Sequence, residues 1–297
     1  MNALMLIPVI LLPVALSAAE LKIDHVTVCG ARLDTLRQAL TSVTNISAEY
    51  GGPHSNHATE MALVSFPDGS YLELMGIQAQ PDSAAVNAHV WSKFLRNNAG
   101  TCAFALRVAD LNAEIADLKS AGIRVGTPES SGRTRPDGLR IAWETVDAGP
   151  GVRGSLFPFL IRDITPRENR AFPGGKPTTT GFGGISKVII GVRDLERAVA
   201  QYRQAFGLPA PRRQQDAWFD ADLAWFEGTP FVLASGLKSD SWLSVRVNGY
   251  GDAPVAFLLT TTGGIAGSGH LSTWFGRPVF WMNETQLGWR LGVESSR

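Results

Sequence analysis

The stretch Ile23-Asp24-His25-Val26-Thr27-Val28, read together with Tyr71-Leu72-Glu73-Leu74, decides the fold that we predict for this chain. Both segments alternate in the way that suits a half-buried β-strand. The alternation places His25 on one face of the first strand together with Ile23, and Glu73 on one face of the second. If the two strands are neighbours with their apolar sides under one helix, His25 and Glu73 point into the same concavity. An imidazole and a carboxylate on adjacent strands can form half of a metal site or an acid–base pair.

The sequence around these two strands repeats one order of elements. A strand at residues 22–28 is followed by a helix, a short extended segment and two strands joined by the turn sequence Pro67-Asp68-Gly69. This βαβββ order recurs from residue 102 and from residue 185. A degraded fourth copy begins near residue 255, with a glycine-rich loop where the helix would be. Four related units of about 50 to 60 residues fit two domains of two units each, so we predict an α+β fold.

The chain divides into four predicted segments: a signal peptide at 1–19, an N-terminal domain at 20–163, a linker at 164–183 and a C-terminal domain at 184–297. The linker is rich in Pro, Gly and Thr and shows no periodicity. Inside the N-terminal domain, residues 83–97 have the spacing of a connecting helix, and residues 130–138 read as a basic loop.

Composition excludes several classes of protein. Of the 297 residues, 44% are hydrophobic and 18% charged, which is typical of a globular chain. The 27 basic and 27 acidic residues cancel, so no net positive charge favours nucleic acid or an anionic membrane surface as a partner.

Residues 1–19 carry no charged side chain and end in the small residues Ser17-Ala18-Ala19, which predicts a cleaved secretory signal. A membrane anchor is the alternative, but the apolar run is short for a span and Pro8 and Pro13 interrupt it. We therefore expect a periplasmic or secreted protein without stable membrane insertion after cleavage.

Cys29 and Cys102 are the two cysteines of the chain. Export would place them in an oxidising compartment, where a disulfide can form. The alternation of side chains along the strands argues against a disulfide. Cys29 continues the face of His25, while Cys102 falls on the helix-facing side of its own strand. We predict two small, buried, unpaired residues.

Serial βαβββ units with His on a first strand and Glu on a last strand resemble the vicinal oxygen chelate superfamily of glyoxalases, bleomycin resistance proteins and extradiol dioxygenases. The closer resemblance is to its glyoxalase-like domain proteins. It rests on Asp24-His25-Val26, on the loop Gly51-Gly52-Pro53-His54 and on residues 68–74, and it spans most of residues 21–293. The resemblance implies that two modules pair into an open cup with a curved mixed sheet, and that metal ligands come from the first and last strand of each module.

The resemblance implies that His25 and Glu73 hold a divalent metal (Mn, Fe, Ni or Zn) or act as base and acid. The second module departs from the pattern, because Ala103 stands where the first has His25 and its closing strand is apolar. About three protein ligands are usual in a catalytic site, and this alignment supplies two. Further ligands can come from Glu60, His54, His57 or Glu144, although no spacing argument supports any of them. A structural His25–Glu73 pair without metal stays open.

Three more residues are candidates for ligand contact. His54 lies in the rim loop, Tyr71 shares the face of Glu73, and Arg107 should point into the cup from the second unit. Arg107 can anchor an anionic group of the ligand, or it can form a salt bridge with Glu73 or Glu144.

Two functions fit these expectations. The first is an exported enzyme, a lyase, isomerase or dioxygenase that acts on a small oxygenated molecule. The second is a metal-free protein that binds and sequesters such a molecule, because binding requires shape and a few polar groups. Both functions are compatible with a homodimer.

Overall fold

The computed structural model describes residues 21–135, 137–261, 263 and 268–296, so the predicted signal peptide at 1–19 lies outside the described residues. In the part of the chain that is described, no helix has the length and apolar character needed to cross a membrane.

The N-terminal half forms one mixed sheet of eight strands. Its elements are β1 (Lys22–Cys29), α1 (Leu33–Thr44), β2 (Glu49–Pro53), β3 (Thr59–Ser65), β4 (Tyr71–Ile77), α2 (Ser83–Ala88), α3 (Ser92–Arg96), β5 (Gly100–Arg107), α4 (Leu111–Ser120), β6 (Glu129–Thr134), β7 (Arg140–Val146), β8 (Phe159–Asp163) and α5 (Arg167–Ala171). The strand order is β2-β3-β4-β1-β5-β8-β7-β6. β1 pairs in parallel with β4 and antiparallel with β5, so the two units meet at the centre of the sheet.

The C-terminal half repeats this arrangement. Its elements are β9 (Gly184–Gly191), α6 (Leu195–Phe206), β10 (Arg212–Asp216), β11 (Ala221–Trp225), β12 (Phe231–Gly236), α7 (Trp242–Tyr250), β13 (Ala253–Thr261), β14 (Gly269–Trp274), β15 (Arg277–Met282), α8 (Glu284–Leu287) and β16 (Arg290–Ser295). The strand order is β10-β11-β12-β9-β13-β16-β15-β14. The predicted α+β fold of paired βαβββ units in two tandem domains is therefore confirmed.

Three local predictions differ from the structure. The predicted basic loop at 130–138 is mostly the edge strand β6, whose Ser- and Gly-rich sequence gives little strand signal and which pairs with β7 alone. The predicted helix at 83–97 is divided into α2 and α3 at His89, whose extended backbone ends α2 and whose Nδ1 accepts a hydrogen bond from the Trp91 amide. The predicted linker at 164–183 contains the helix α5.

The two sheets share one apolar core on the faces that the helices cover. Val26 and Val28 of β1, Val188 and Ile190 of β9, and residues of α1, α4 and α6 belong to the same buried cluster. Aspartates set the start of α4 and α6, because the side chain of Asp110 accepts hydrogen bonds from two amides of α4 and Asp194 accepts one from α6.

A second contact joins the two halves through a half-buried arginine. The guanidinium of Arg246, on α7, donates to the carbonyl oxygens of Ala99 and Thr101 at 2.5 Å each and to that of Pro254 at 3.4 Å. Burial lowers the pKa of Arg246 to about 10. The C-terminal half thus holds the first residues of β5 in place.

Two β-bulges at the centre of the first sheet change which way its side chains point. On β1 the pairing with β5 skips Asp24, and on β5 the pairing with β1 skips Cys102. A bulge inserts one residue and reverses the parity that simple alternation predicts. Ile23 consequently lies in the helix-side core, and the prediction that it shares the face of His25 is wrong.

The bulge at Cys102 also overturns the prediction of unpaired cysteines. Cys29 and Cys102 form a disulfide, with Cα atoms 6.0 Å apart. Both side chains lie in a buried cluster with Met75, Trp91 and Ala103, which shows that Cys102 points to the side of the sheet on which Cys29 lies. The prediction failed because it counted parity through an unrecognised extra residue.

Candidate functional site

The first sheet curls around a cavity of about 930 Å³, which we call the N-terminal cup. Four of the five histidines of the chain line it, namely His25, His54, His57 and His89. Glu73 and Tyr71 lie on the same wall, so the structure brings together four of the five predicted site residues. The remaining wall is mixed. Polar residues of the rim loop and of β6 lie beside the apolar and aromatic side chains of Met61, Leu63, Met75, Trp91, Trp143, Phe159 and Ile161.

His25 is almost wholly enclosed, with 5% of its surface exposed. Its Nδ1 atom lies 2.6 Å from Oδ1 of Asp24. Its ring stacks on that of Tyr71, with centroids 4.8 Å apart, and meets Phe159 edge-on at 5.3 Å. Because an ionised carboxylate only accepts hydrogen bonds, Nδ1 of His25 is the donor in this contact.

Asp24 is fully buried and belongs to a network of charges that sequence reasoning missed. Arg170 reaches it with two hydrogen bonds of 2.8 and 3.0 Å, and Arg167 donates a third. Both arginines also bind Asp163 at the end of β8, so two carboxylates face two guanidinium groups. Burial alone would raise the pKa of Asp24, but the charges of Arg170 and Arg167 and the hydrogen bond from His25 hold it well below its ordinary value.

Tyr71 is bound into the same network. Its hydroxyl oxygen accepts a hydrogen bond of 2.7 Å from Nη1 of Arg170. Burial raises the pKa of Tyr71 far above its ordinary value, although the charge of Arg170 acts in the opposite direction. The phenol therefore stays protonated, and its ring holds the imidazole of His25 in place by stacking.

Glu73 lies beside Thr27, and not beside His25, because the parallel pairing of β1 and β4 sets Thr27 opposite Glu73. The hydroxyl of Thr27 donates to Oε2 of Glu73 at 2.8 Å. Nε2 of His54 lies 4.0 Å from Oε1, too far for a hydrogen bond. His54 is oriented by a contact of 2.8 Å between its Nδ1 and Oγ1 of Thr59, and burial lowers its pKa although the charge of Glu73 opposes this.

These positions allow a test of the metal site that the resemblance implies. His25 and Glu73 face one cup, but nothing in the geometry gathers a third ligand around them. The described residues contain no group of three or more His, Cys, Asp or Glu side chains arranged to hold a metal ion. The donors do not fit a complete catalytic metal centre, and we derive no chemical step through a metal.

The structure places Arg107 away from the cup. Its side chain lines two other cavities, beside Lys22, and its guanidinium lies 3.5 Å from the carbonyl oxygen of Asp68. The neighbouring cup-side residue of β5, Ala105, packs instead against Phe159 and Ile161. The cup receives its arginines from elsewhere: Arg133 from β6, Arg153 from the loop before β8 and Arg170 from α5.

The corresponding interior of the second sheet is packed with aromatic side chains. Phe219, Trp225, Trp274 and Trp281 form part of one buried cluster there. Pairing of β9 with β13 skips Ser186, which sets Lys187 at the position that His25 has in the first sheet. Lys187 forms a buried ion pair with Glu294. The second half therefore has the same strand arrangement as the first, but aromatic side chains and a lysine–glutamate ion pair fill its interior.

Comparison with known proteins assigns the fold and the family. The family model described as "Glyoxalase-like domain" matches residues 23–206, which is more than half of the chain. No functionally curated protein matches the sequence.

Two solved structures are similar over nearly the whole chain. A hypothetical protein from Staphylococcus aureus has a TM-score of 0.62 at 14% identity, with 93% of this chain and 100% of that chain covered. A triple mutant of 4-hydroxymandelate synthase from Streptomyces coelicolor has a TM-score of 0.58 at 10% identity, with 93% and 92% covered. At such identities the likeness concerns the fold. The family match over more than half of the chain shows that this chain belongs to the glyoxalase-like domain family of the vicinal oxygen chelate superfamily.

Proposed function

We propose that this chain binds a small oxygenated molecule in the N-terminal cup and transforms it by proton transfer at His25. The observation that carries the proposal is the Asp24–His25 pair on the wall of a cavity of about 930 Å³. A histidine whose one nitrogen is fixed by a buried carboxylate has the arrangement of a general base.

The residues of the cup support one sequence of events. Nε2 of His25 accepts a proton from the bound molecule, and Asp24 stabilises the imidazolium that forms. The stacked ring of Tyr71 keeps the imidazole from turning. Glu73, which receives one hydrogen bond from Thr27, offers its second oxygen to a hydroxyl of the ligand. A positioned base of this kind contributes about 10²- to 10⁴-fold to a rate.

A sequestering protein is the second candidate. It is favoured by the incomplete set of metal donors and by the aromatic and aliphatic walls of the cup, which bind a small molecule without reacting with it. Divalent metal binding by His25 and Glu73 stays a prediction from the resemblance, which elemental mass spectrometry of the wild type beside His25→Ala tests.

One experiment separates catalysis from sequestration. A library of small hydroxy and oxo compounds is screened by thermal shift, and each compound that binds is incubated with the protein in deuterated water. The enzyme reading expects deuterium incorporation or a new product by NMR and mass spectrometry with the wild type. His25→Ala should still bind but leave the compound unchanged. A compound that binds tightly and is recovered unlabelled from the wild type favours sequestration.

Export is part of the proposal. The buried Cys29–Cys102 disulfide supports a periplasmic or secreted location, because such bonds persist in oxidising compartments. Fractionation of cells that express the full chain, with detection of the processed form, tests this.

A further inference from the structure

Three arginines line the N-terminal cup, and they differ in their partners. Arg170 is held by Asp24 and Asp163. Arg153 binds Asp147 at 2.6 Å and lies 3.5 Å from Glu129. Among the described residues, no carboxylate lies within ion-pair distance of Arg133. Its Nη1 donates one long hydrogen bond, of 3.4 Å, to the carbonyl oxygen of Gly51.

Protein nevertheless covers part of Arg133. It lies half-buried on β6, on the same face as Trp143 of the paired strand β7. Burial lowers its pKa, while the nearby Tyr71 and Glu73 act in the opposite direction. Taking a charge out of water without a paired counter-charge is costly, so an unpaired guanidinium facing a cavity is suited to an anion that enters from solution.

The edges of the sheet explain why the cup has space for such an anion. Within the residues that the structure describes, the hydrogen bond that joins edge strand β6 to edge strand β2 is the long one of 3.4 Å from Arg133 to Gly51. In the second sheet, the side chain of Gln214 joins the two edges with bonds of 2.6 Å to the Thr273 carbonyl and 2.5 Å from the Phe275 amide. The first sheet therefore opens where Arg133 lies.

We infer that the ligand of the N-terminal cup carries a carboxylate that binds Arg133, next to a hydroxyl that donates to Glu73 and an apolar body that packs against Trp91 and Trp143. The inference rests on the proposed function, whose site it shares. An α-hydroxy acid combines the two polar groups in the smallest form. A planar guanidinium binds a carboxylate through two parallel hydrogen bonds, which a neutral amide cannot reproduce.

The test uses four α-hydroxy acids of increasing size beside their primary amides: lactate, 2-hydroxyisocaproate, 3-phenyllactate and indole-3-lactate. Affinities for the wild type, Arg133→Gln and Arg140→Gln are measured by calorimetry at pH 7. Arg140 is the matched control, since it is an exposed arginine of the same β6–β7 hairpin that does not line the cup. Thermal unfolding of both variants shows whether they remain folded.

We expect at least one acid to bind the wild type tenfold or more tightly than its amide, Arg133→Gln to remove that preference, and Arg140→Gln to keep it. Equal binding of acid and amide, or a preference that survives in folded Arg133→Gln, overturns the inference and leaves the proposed function standing. If no acid binds the wild type, the inference is also overturned. The proposed function falls with it only if no compound in the deuterium experiment binds or exchanges.

Discussion

Nδ1 of His25 lies 2.6 Å from Oδ1 of Asp24, although adjacent residues of a regular strand point to opposite faces. The bulge at Asp24 makes this contact possible, because the extra residue turns the carboxylate towards the imidazole. The strand thereby supplies an imidazole and the carboxylate that orients it from two consecutive positions.

Asp24→Asn should destabilise the fold strongly. Removing the charge leaves the buried Arg170 and the half-buried Arg167 with Asp163 as their remaining carboxylate. Breaking a buried ion pair from one side costs about 3–5 kcal/mol. Urea unfolding measures the loss. The exposed Asp34→Asn is the control and should change the free energy of unfolding by about 0.5 kcal/mol or less. Equal effects of the two substitutions would show that the network contributes nothing to stability.

The stability of the protein should depend on His54 below neutral pH. Burial lowers the pKa of His54 from 6.5, so the unfolded chain takes up a proton at a higher pH than the folded one. The contribution of His54 is therefore fully present above about pH 6.5 and is lost as the pH falls through the folded pKa. As the pH falls from 8 to 5, the free energy of unfolding of the wild type should decrease more than that of His54→Gln. A constant difference would contradict the burial of His54.

Loss of the disulfide should lower stability by about 4 kcal/mol, the value that chain entropy gives for a long closed loop. The bond joins residues 73 positions apart. The double variant Cys29→Ala, Cys102→Ala is compared with the wild type by thermal and urea unfolding. Thiol titration of the unfolded, unreduced wild type should find no free thiol. Two reactive thiols per chain would contradict the disulfide between Cys29 and Cys102.

Arg246→Gln should loosen the contact between the two halves. The substitution leaves the buried carbonyls of Ala99 and Thr101 without their charged donor, at a cost of about 3 kcal/mol. Hydrogen exchange should increase first at the beginning of β5. Arg193→Gln, at an exposed pair with Asp252, is the matched control, and a comparable loss there would argue against a special role for Arg246.

Strand alternation was sufficient to predict that His25 and Glu73 face one cup. It could not predict the residues at bulges, because one inserted position reverses every later assignment of faces, as happened with Ile23 and Cys102. Arg170 was missed for a different reason. Its partner Asp24 is 146 positions away, and no local pattern in a Pro- and Gly-rich segment predicts such a long-range contact.

The helix α5 lies beyond the last strand of the first sheet, and this limits how the chain can be divided. A fragment that ends at Asp163 would retain all eight strands, yet Asp24 would be buried beside His25 without either guanidinium. Thr178, further along, bonds to Ser65 and to Glu49. The sheet boundary at Asp163 is therefore not the end of the N-terminal module, whose polar contacts continue to about residue 179. Exchanging modules at Asp163 would transfer the sheet and its cup without the two arginines that neutralise Asp24.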